Sequence, residues 1–125
     1  MARDKNISPV GWYVGAYLLR FIEVNDPSNE DGEERFLSWE NTVIVKAENM
    51  DEAYDKIEKI AKESTAPYLG GADAIPVQWV FEGITDILPI YEELEDGSEI
   101  MWSEHKPTKL KNLRKMVRRR GEFVQ

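Results

Sequence analysis

A chain of 125 residues with 42% hydrophobic and 10% aromatic side chains is sized for one domain with an ordinary core, and this composition excludes a disordered chain. It has no cysteine, which excludes disulfides, thiolate metal sites and cysteine nucleophiles, and no apolar run near the roughly 20 residues that cross a bilayer. The formal charge of −8 is divided between an acidic body, residues 1–105, with 8 basic against 23 acidic residues, and a basic tail, residues 106–125, with 8 basic residues against Glu122. Because no secretory leader pattern opens the chain, we expect a cytoplasmic protein.

The first elements predicted are a flexible lead-in and a β-hairpin. Residues 1–11 form the lead-in, which ends in Pro-Val-Gly. Residues 12–24 are rich in β-branched and aromatic side chains on both faces, which is typical of a central strand. Residues 25–35 form an acidic loop with many turn formers, and residues 36–47 are predicted to be the second strand. The two strands are therefore expected to pair as a hairpin with a long tip.

Residues 50–64 have the clearest helical pattern in the chain. Their apolar side chains recur at a spacing of about 3.6 residues and make one stripe. The stripe consists of Met50, Ala53, Tyr54, Ile57, Ile60 and Ala61. Asn49 is an N-cap candidate, with Glu52 in the capping-box position. We expect this helix to pack on a sheet through Ala53, Ile57 and Ile60.

The rest of the acidic body predicts two further strands. Residues 65–76 contain two prolines and a glycine pair and are predicted to be a loop. Residues 77–91 are predicted to be the third strand, and residues 99–105 the fourth, after a hairpin turn at Asp96-Gly97. The predicted order is ββαββ. This is an α+β fold in which residues 12–105 form a single domain, an antiparallel sheet of about four strands with one packed helix.

The basic tail, residues 106–125, is predicted to be a C-terminal helix, with residues 108–119 helical. Its apolar stripe consists of Leu110, Leu113, Met116 and Val117. We expect Leu110, Leu113 and Val117 to face protein rather than water, either the domain itself or a partner. Three roles remain open: docking on the acidic body, binding a partner or nucleic acid, and lying on an anionic membrane. The residues suited to nucleic acid are Lys109, Lys111, Arg114, Lys115, Arg118 and Arg119.

Several short stretches of the acidic body match a family in their combination and order. They are Trp12-Tyr13-Val14, Trp39-Glu40-Asn41, Asp51-Glu52-Ala53-Tyr54, the segment from Trp79 to Asp86, and the segment from Leu94 to Ile100. On these residues the chain resembles an uncharacterised bacterial family, the domain of unknown function 4288, over about residues 12–100. The resemblance implies no activity and no catalytic residue, and it does not extend to the basic tail.

No arrangement of residues indicates catalysis, a metal or a cofactor. The single histidine, His105, has no second His or Cys with which to form a triad or a metal site. The densest acidic cluster is Glu92, Glu93, Glu95, Asp96 and Glu99. We interpret it as a solvated hairpin tip or as a docking surface for a basic partner, with a catalytic or metal site as the third alternative. Core packing explains most of the four tryptophans, and Trp39 and Trp102 are the two best suited to be recognition anchors.

The charge division favours a non-enzymatic binding protein whose acidic face engages a cationic protein. Inhibitors and immunity proteins of nuclease toxins act in this way, because nucleases have basic clefts for phosphate that an acidic domain can occupy with fast, steered association. The partner-binding residues are then the five acids of the 92–99 cluster together with Trp39 and Trp102. The alternative is a nucleic-acid-associated accessory protein that uses the basic tail.

Overall fold

The computed structural model describes residues 4–123 and has one antiparallel sheet with a helix packed on it. The strands are β1, Trp12–Glu23; β2, Ser38–Lys46; β3, Tyr68–Gly70; and β4, Ile75–Pro89. The helices are α1, Met50–Lys62, and α2, Leu110–Met116, followed by a 3₁₀ turn at Arg120–Glu122. The strand order across the sheet is β2-β1-β4-β3. The predicted α+β class and the ββαββ order are confirmed.

Strand β1 is central, as its two apolar faces predicted. It pairs with β2 on one side and with β4 on the other, so that Tyr13 lies opposite both Val45 and Pro89. The pairing with β2 is regular over its whole length, whereas β4 has two register shifts against β1. The face of β1 that carries Tyr13, Tyr17 and Leu19 forms the core with α1.

Helix α1 packs on this face through the stripe that the sequence predicts. Asn49 caps the helix, because its side-chain oxygen accepts a 2.8 Å hydrogen bond from the Glu52 amide. Ala53 and Ile57 are fully buried, and Ile60 is half-buried against the same core. The predicted contacts of this helix are therefore confirmed.

The predicted fourth strand at residues 99–105 is wrong. The hairpin turn before it forms, since Gly97 has φ +88° and the Ser98 amide donates to the Glu95 carbonyl at 3.0 Å. The chain after the turn is irregular, because a turn signal is local whereas a strand needs a partner edge. The fourth strand is instead β3, inside the predicted loop 65–76, which pairs with the start of β4 around a turn at Gly71–Ala74.

The basic tail forms a shorter helix than predicted. Helix α2 ends at Met116, since Val117 is extended with ψ 133°. The stripe of Leu110, Leu113, Met116 and Val117 is exposed, with Val117 77% accessible. Within residues 4–123, α2 makes no contact with the sheet or with α1. Within residues 4–123 the stripe is therefore not buried on the domain, and its burial against a partner stays a prediction. Residues 124–125 of the predicted helix lie outside the described residues.

In the part of the lead-in that is described, residues 4–11, Ser8 is the buried anchor point. Ser8 is buried, its amide donates to the Tyr13 hydroxyl at 3.0 Å, and its own hydroxyl donates to the Ile90 carbonyl at 2.6 Å. The lead-in thus joins the start of β1 to the segment that follows β4. Residues 1–3 of the predicted lead-in lie outside the described residues.

Candidate partner-binding site

The segment that follows β4, residues 90–105, contains most of the predicted partner-binding residues, and its first residue is fixed to the domain. Ile90 is only 1% accessible, and its amide donates to the Trp12 carbonyl at 2.9 Å. The next residue, Tyr91, donates its hydroxyl to the Lys5 carbonyl. The segment therefore leaves the sheet from a defined position beside the start of β1.

The acidic residues of this segment lie on a compact loop that Ser98 closes. The Ser98 hydroxyl accepts a 2.8 Å hydrogen bond from the Glu95 amide and donates to the Glu93 carbonyl. The Ser98 side chain thus closes this loop with hydrogen bonds, where pairing between two strands was predicted. Glu93, Glu95 and Asp96 are exposed on this loop.

Two of the acids and one tryptophan meet around a small cleft, which we call the aromatic cleft. Its volume is about 80 Å³, and it is lined by Pro89, Tyr91, Glu92, Glu99, Ile100, Met101 and Trp102. The rings of Tyr91 and Trp102 lie 6.2 Å apart at 38°. Glu92 Oε2 accepts a 3.1 Å hydrogen bond from the Glu99 amide, which joins the two sides of the loop at the cleft.

The composition of the aromatic cleft suits a positively charged side chain. Carboxylates attract an ammonium or guanidinium group, and the faces of Tyr and Trp rings attract the same groups through their quadrupole. Within residues 4–123, no Lys or Arg forms an ion pair with the five acids of the 92–99 cluster. Trp102 is 48% accessible, so a ligand can reach its ring.

The structure separates Trp39 from the other predicted site residues. Trp39 lies opposite Leu19 on β1, whereas the cleft lies at the Tyr13 end of that strand. Six residues of strand place the two ends about 20 Å apart. Trp39 packs against Trp79 in a tilted arrangement, with ring centroids 4.9 Å apart, and remains 56% accessible. Glu92, Glu99 and Trp102 are therefore brought together, and Trp39 is not.

A protein-family model described as a domain of unknown function, DUF4288, matches residues 12–102. The chain belongs to the DUF4288 family. The match confirms the resemblance found in the sequence, and it includes the aromatic cleft but not the basic tail. No curated protein and no solved structure matches the chain. The description of the family names no activity.

Arg20 organises a second acidic region of the DUF4288 domain that the sequence analysis missed. Its guanidinium lies 2.7 Å from Glu82 Oε1 and 3.6 Å from Glu30 Oε1, and it donates to the Asn29 carbonyl at 2.6 Å. It also lies 4.5 Å from the centre of the Phe36 ring. These contacts tie the acidic loop to the sheet. An arginine within the apolar run of β1 was the available signal.

The acidic loop is also organised locally at Asp26. The Ser28 hydroxyl and amide both donate to Asp26 Oδ1, at 2.6 and 2.9 Å. These hydrogen bonds lower the pKa of Asp26 below its ordinary value, because they stabilise the carboxylate form. Asp26 therefore keeps its negative charge to a lower pH than an ordinary aspartate does.

The basic tail follows the DUF4288 domain and presents the residues predicted to contact nucleic acid. Lys109, Lys111, Arg114, Lys115, Arg118 and Arg119 are all exposed. Arg118 lies 3.9 Å from Glu122 and stacks on the Phe123 ring, so it is engaged within the tail. The other five form no ion pair within residues 4–123.

No helix within residues 4–123 is both long and apolar enough to cross a membrane. In the same part of the chain, no three His, Cys, Asp or Glu side chains are grouped so that they could hold a metal ion.

Proposed function

We propose that this chain is a non-enzymatic cytoplasmic binding protein that neutralises a cationic protein, such as a nuclease toxin, in the manner of an inhibitor or immunity protein. The observation that carries the proposal is the aromatic cleft, where Glu92 and Glu99 flank the Tyr91–Trp102 pair. A lysine or arginine of the partner enters this cleft. There it meets both carboxylates and the two aromatic rings.

The distribution of charge supports the same proposal at longer range. The acidic body has 15 more acidic than basic residues, a field that steers a basic partner toward it. Glu93, Glu95 and Asp96 lie on the exposed loop beside the cleft, where they contribute to this steering. Steering by exposed charges raises the association rate, whereas a side chain held in the cleft slows dissociation.

The test uses a nuclease toxin domain encoded beside the gene for this chain. Equimolar chain is expected to abolish cleavage of RNA or DNA by that domain and to form a complex that salt weakens. The double variant Glu92→Gln/Glu99→Gln is expected to bind more weakly. Its matched control is Glu33→Gln/Glu34→Gln, which changes the net charge equally on the acidic loop. Full cleavage in the presence of excess chain, with no complex by calorimetry, would contradict the proposal.

A second candidate function, a nucleic-acid-associated accessory protein, is favoured by the exposure of the basic tail. Seven of the eight basic side chains of the tail are exposed and free of ion pairs within the described residues, as phosphate contacts require. The acidic body repels nucleic acid, so binding through the tail alone is expected to be weak. Fluorescence anisotropy with labelled RNA and DNA, with and without residues 107–125, tests it. A steep loss of affinity with salt that disappears on deletion would support this function.

A further inference from the structure

Strand β2 presents a long row of backbone groups to solvent. The ladder to β1 extends through the Ala47–Gly11 and Phe21–Leu37 hydrogen bonds, which shows that the odd-numbered residues of β2 face β1. The even-numbered residues therefore direct their N–H and C=O groups outward. These are Ser38, Glu40, Thr42, Ile44 and Lys46. Within residues 4–123 the row has one partner, the Lys56 ammonium, which donates to the Lys46 carbonyl.

The two edges of the sheet differ in how well they can accept another strand. On the far side, β3 covers only Ile75, Pro76 and Val77 of β4. The rest of β4 has two register shifts and ends in Pro89, features that disfavour regular pairing. Strand β2 has nine residues with neither proline, glycine nor a register shift. Of the usual protections of an edge strand it lacks proline and a bulge, and its charged side chains are Glu40 and Lys46.

We propose that two copies of this chain pair antiparallel through β2 and form one continuous sheet. In this dimer the outward-directed backbone groups of one β2 bond those of the other. One strand can therefore slide along the other only in steps of two residues. With Val43 on the two-fold axis, Glu40 of each copy lies opposite Lys46 of the other, which places two pairs of opposite charges across the interface. Moving the axis to Ile44 would instead place Glu40 opposite Glu48. Charge complementarity therefore selects the register.

The same register covers apolar side chains of the edge. Ile44, which is 42% accessible, lies opposite Thr42 of the other copy on the face away from α1. On the face toward α1, the two Val43 side chains face each other across a non-hydrogen-bonded pair, where side chains are closest. The Lys46 carbonyl retains its bond to Lys56, since a carbonyl oxygen has two lone pairs. The proposal does not depend on the aromatic cleft, which shares no residue with this edge.

The first experiment measures dimerisation by sedimentation velocity over a concentration series. Wild-type protein is expected to dimerise reversibly. Glu40→Lys or Lys46→Glu alone places two pairs of like charges across the edge and is expected to weaken the dimer about tenfold, while the two together restore it. The control Asp73→Lys makes the same charge change at the exposed turn between β3 and β4, at the opposite edge of the sheet, and leaves the dimer intact. Wild-type protein that is monomeric at every concentration, or a double variant no stronger than the singles, overturns the proposal.

The second experiment uses the absence of cysteine in the chain. Val43→Cys places the two thiols across the axis, at a separation that a disulfide can span, and mild oxidation is expected to give a covalent dimer. Asn41→Cys, on the same face of the same strand, lies opposite Val45 of the other copy and is expected to give no covalent dimer. Circular dichroism confirms that each variant is folded. A folded Val43→Cys that does not cross-link, or cross-linking through position 41, overturns the proposal.

Discussion

Gly15 on β1 lies directly beneath Ile57 on α1, and the absence of a side chain at position 15 allows the helix to approach the sheet. A Cβ atom built on Gly15 would lie 2.2 Å from Ile57 Cδ1 and 3.0 Å from its Cγ1. Ile57 is fully buried, so it cannot turn toward solvent to relieve this contact. The two residues together set the distance between the helix and the sheet.

Gly15→Ala is expected to destabilise the domain by about 1–3 kcal/mol, because the added methyl overpacks the core. Ile57→Val removes the nearest carbon, so in the double variant the cost of Gly15→Ala is expected to fall. Urea denaturation of the four proteins of this cycle measures the coupling. Gly32→Ala, where no atom lies within 4 Å of the added Cβ, is the control. Strictly additive effects would show that the two residues are not in contact.

Ile57→Asp is expected to destabilise the domain by several kcal/mol, since it buries a charge without a partner, and the variant should be largely unfolded. Tyr54→Asp on the same helix is the matched control, because Tyr54 is 45% accessible and its replacement leaves the charge in water. Thermal unfolding followed by circular dichroism measures both. A stable Ile57→Asp would contradict the packing of α1.

Arg20→Ala is expected to cost about 1–3 kcal/mol, because it leaves the carboxylate of Glu82 without its partner and releases the acidic loop. Hydrogen exchange of the amides in residues 25–36 should accelerate. Arg20→Lys should lose nearly as much stability as Arg20→Ala, since one ammonium cannot replace the several contacts of a planar guanidinium. Arg35→Ala, an exposed arginine at the end of the same loop, is the control. Unchanged exchange in Arg20→Ala would show that other contacts hold the loop.

Glu95→Lys/Asp96→Lys is expected to slow association with the cationic partner about tenfold at low salt and to flatten the dependence of the rate on salt. Both residues are exposed, so the fold should be intact. Trp102→Ala should instead raise the dissociation rate, because it removes one wall of the aromatic cleft. Surface plasmon resonance separates the two rates. Binding by all the variants that equals wild-type binding would show that this loop is not part of the partner-binding site.

Deletion of residues 107–125 is expected to change the melting temperature by less than about 2 °C, because α2 makes no contact with the sheet or with α1 in the described chain. Scanning calorimetry measures this. A larger loss of stability would show that the basic tail packs on the acidic body in solution. Loss of partner or RNA binding at unchanged stability would make the tail a binding element.

The parts of the fold that were predicted correctly are those whose signal is periodic and long. Strand β1 has two apolar faces and proved central, and α1 combines an apolar stripe with the Asn49 cap. Such patterns depend only on which side chains must leave water. The predicted strand at residues 99–105 had only a turn and a few β-favouring residues, and those do not specify a partner edge.

The sequence by itself determined the class of the fold, the packing face of α1 and the division of charge, because side-chain polarity and backbone periodicity act within a few residues. Only the tertiary structure decided which residues share a site. Tyr91 and Trp102 are eleven positions apart in the chain, and the Ser98 hydroxyl and the anchored Ile90 bring them together. Trp39, equally aromatic and exposed, lies elsewhere because pairing with β1 places it at the other end of the sheet. A contact between residues distant in the chain depends on the tertiary hydrogen bonds and strand pairing that bring them together, and these form only in the packed domain.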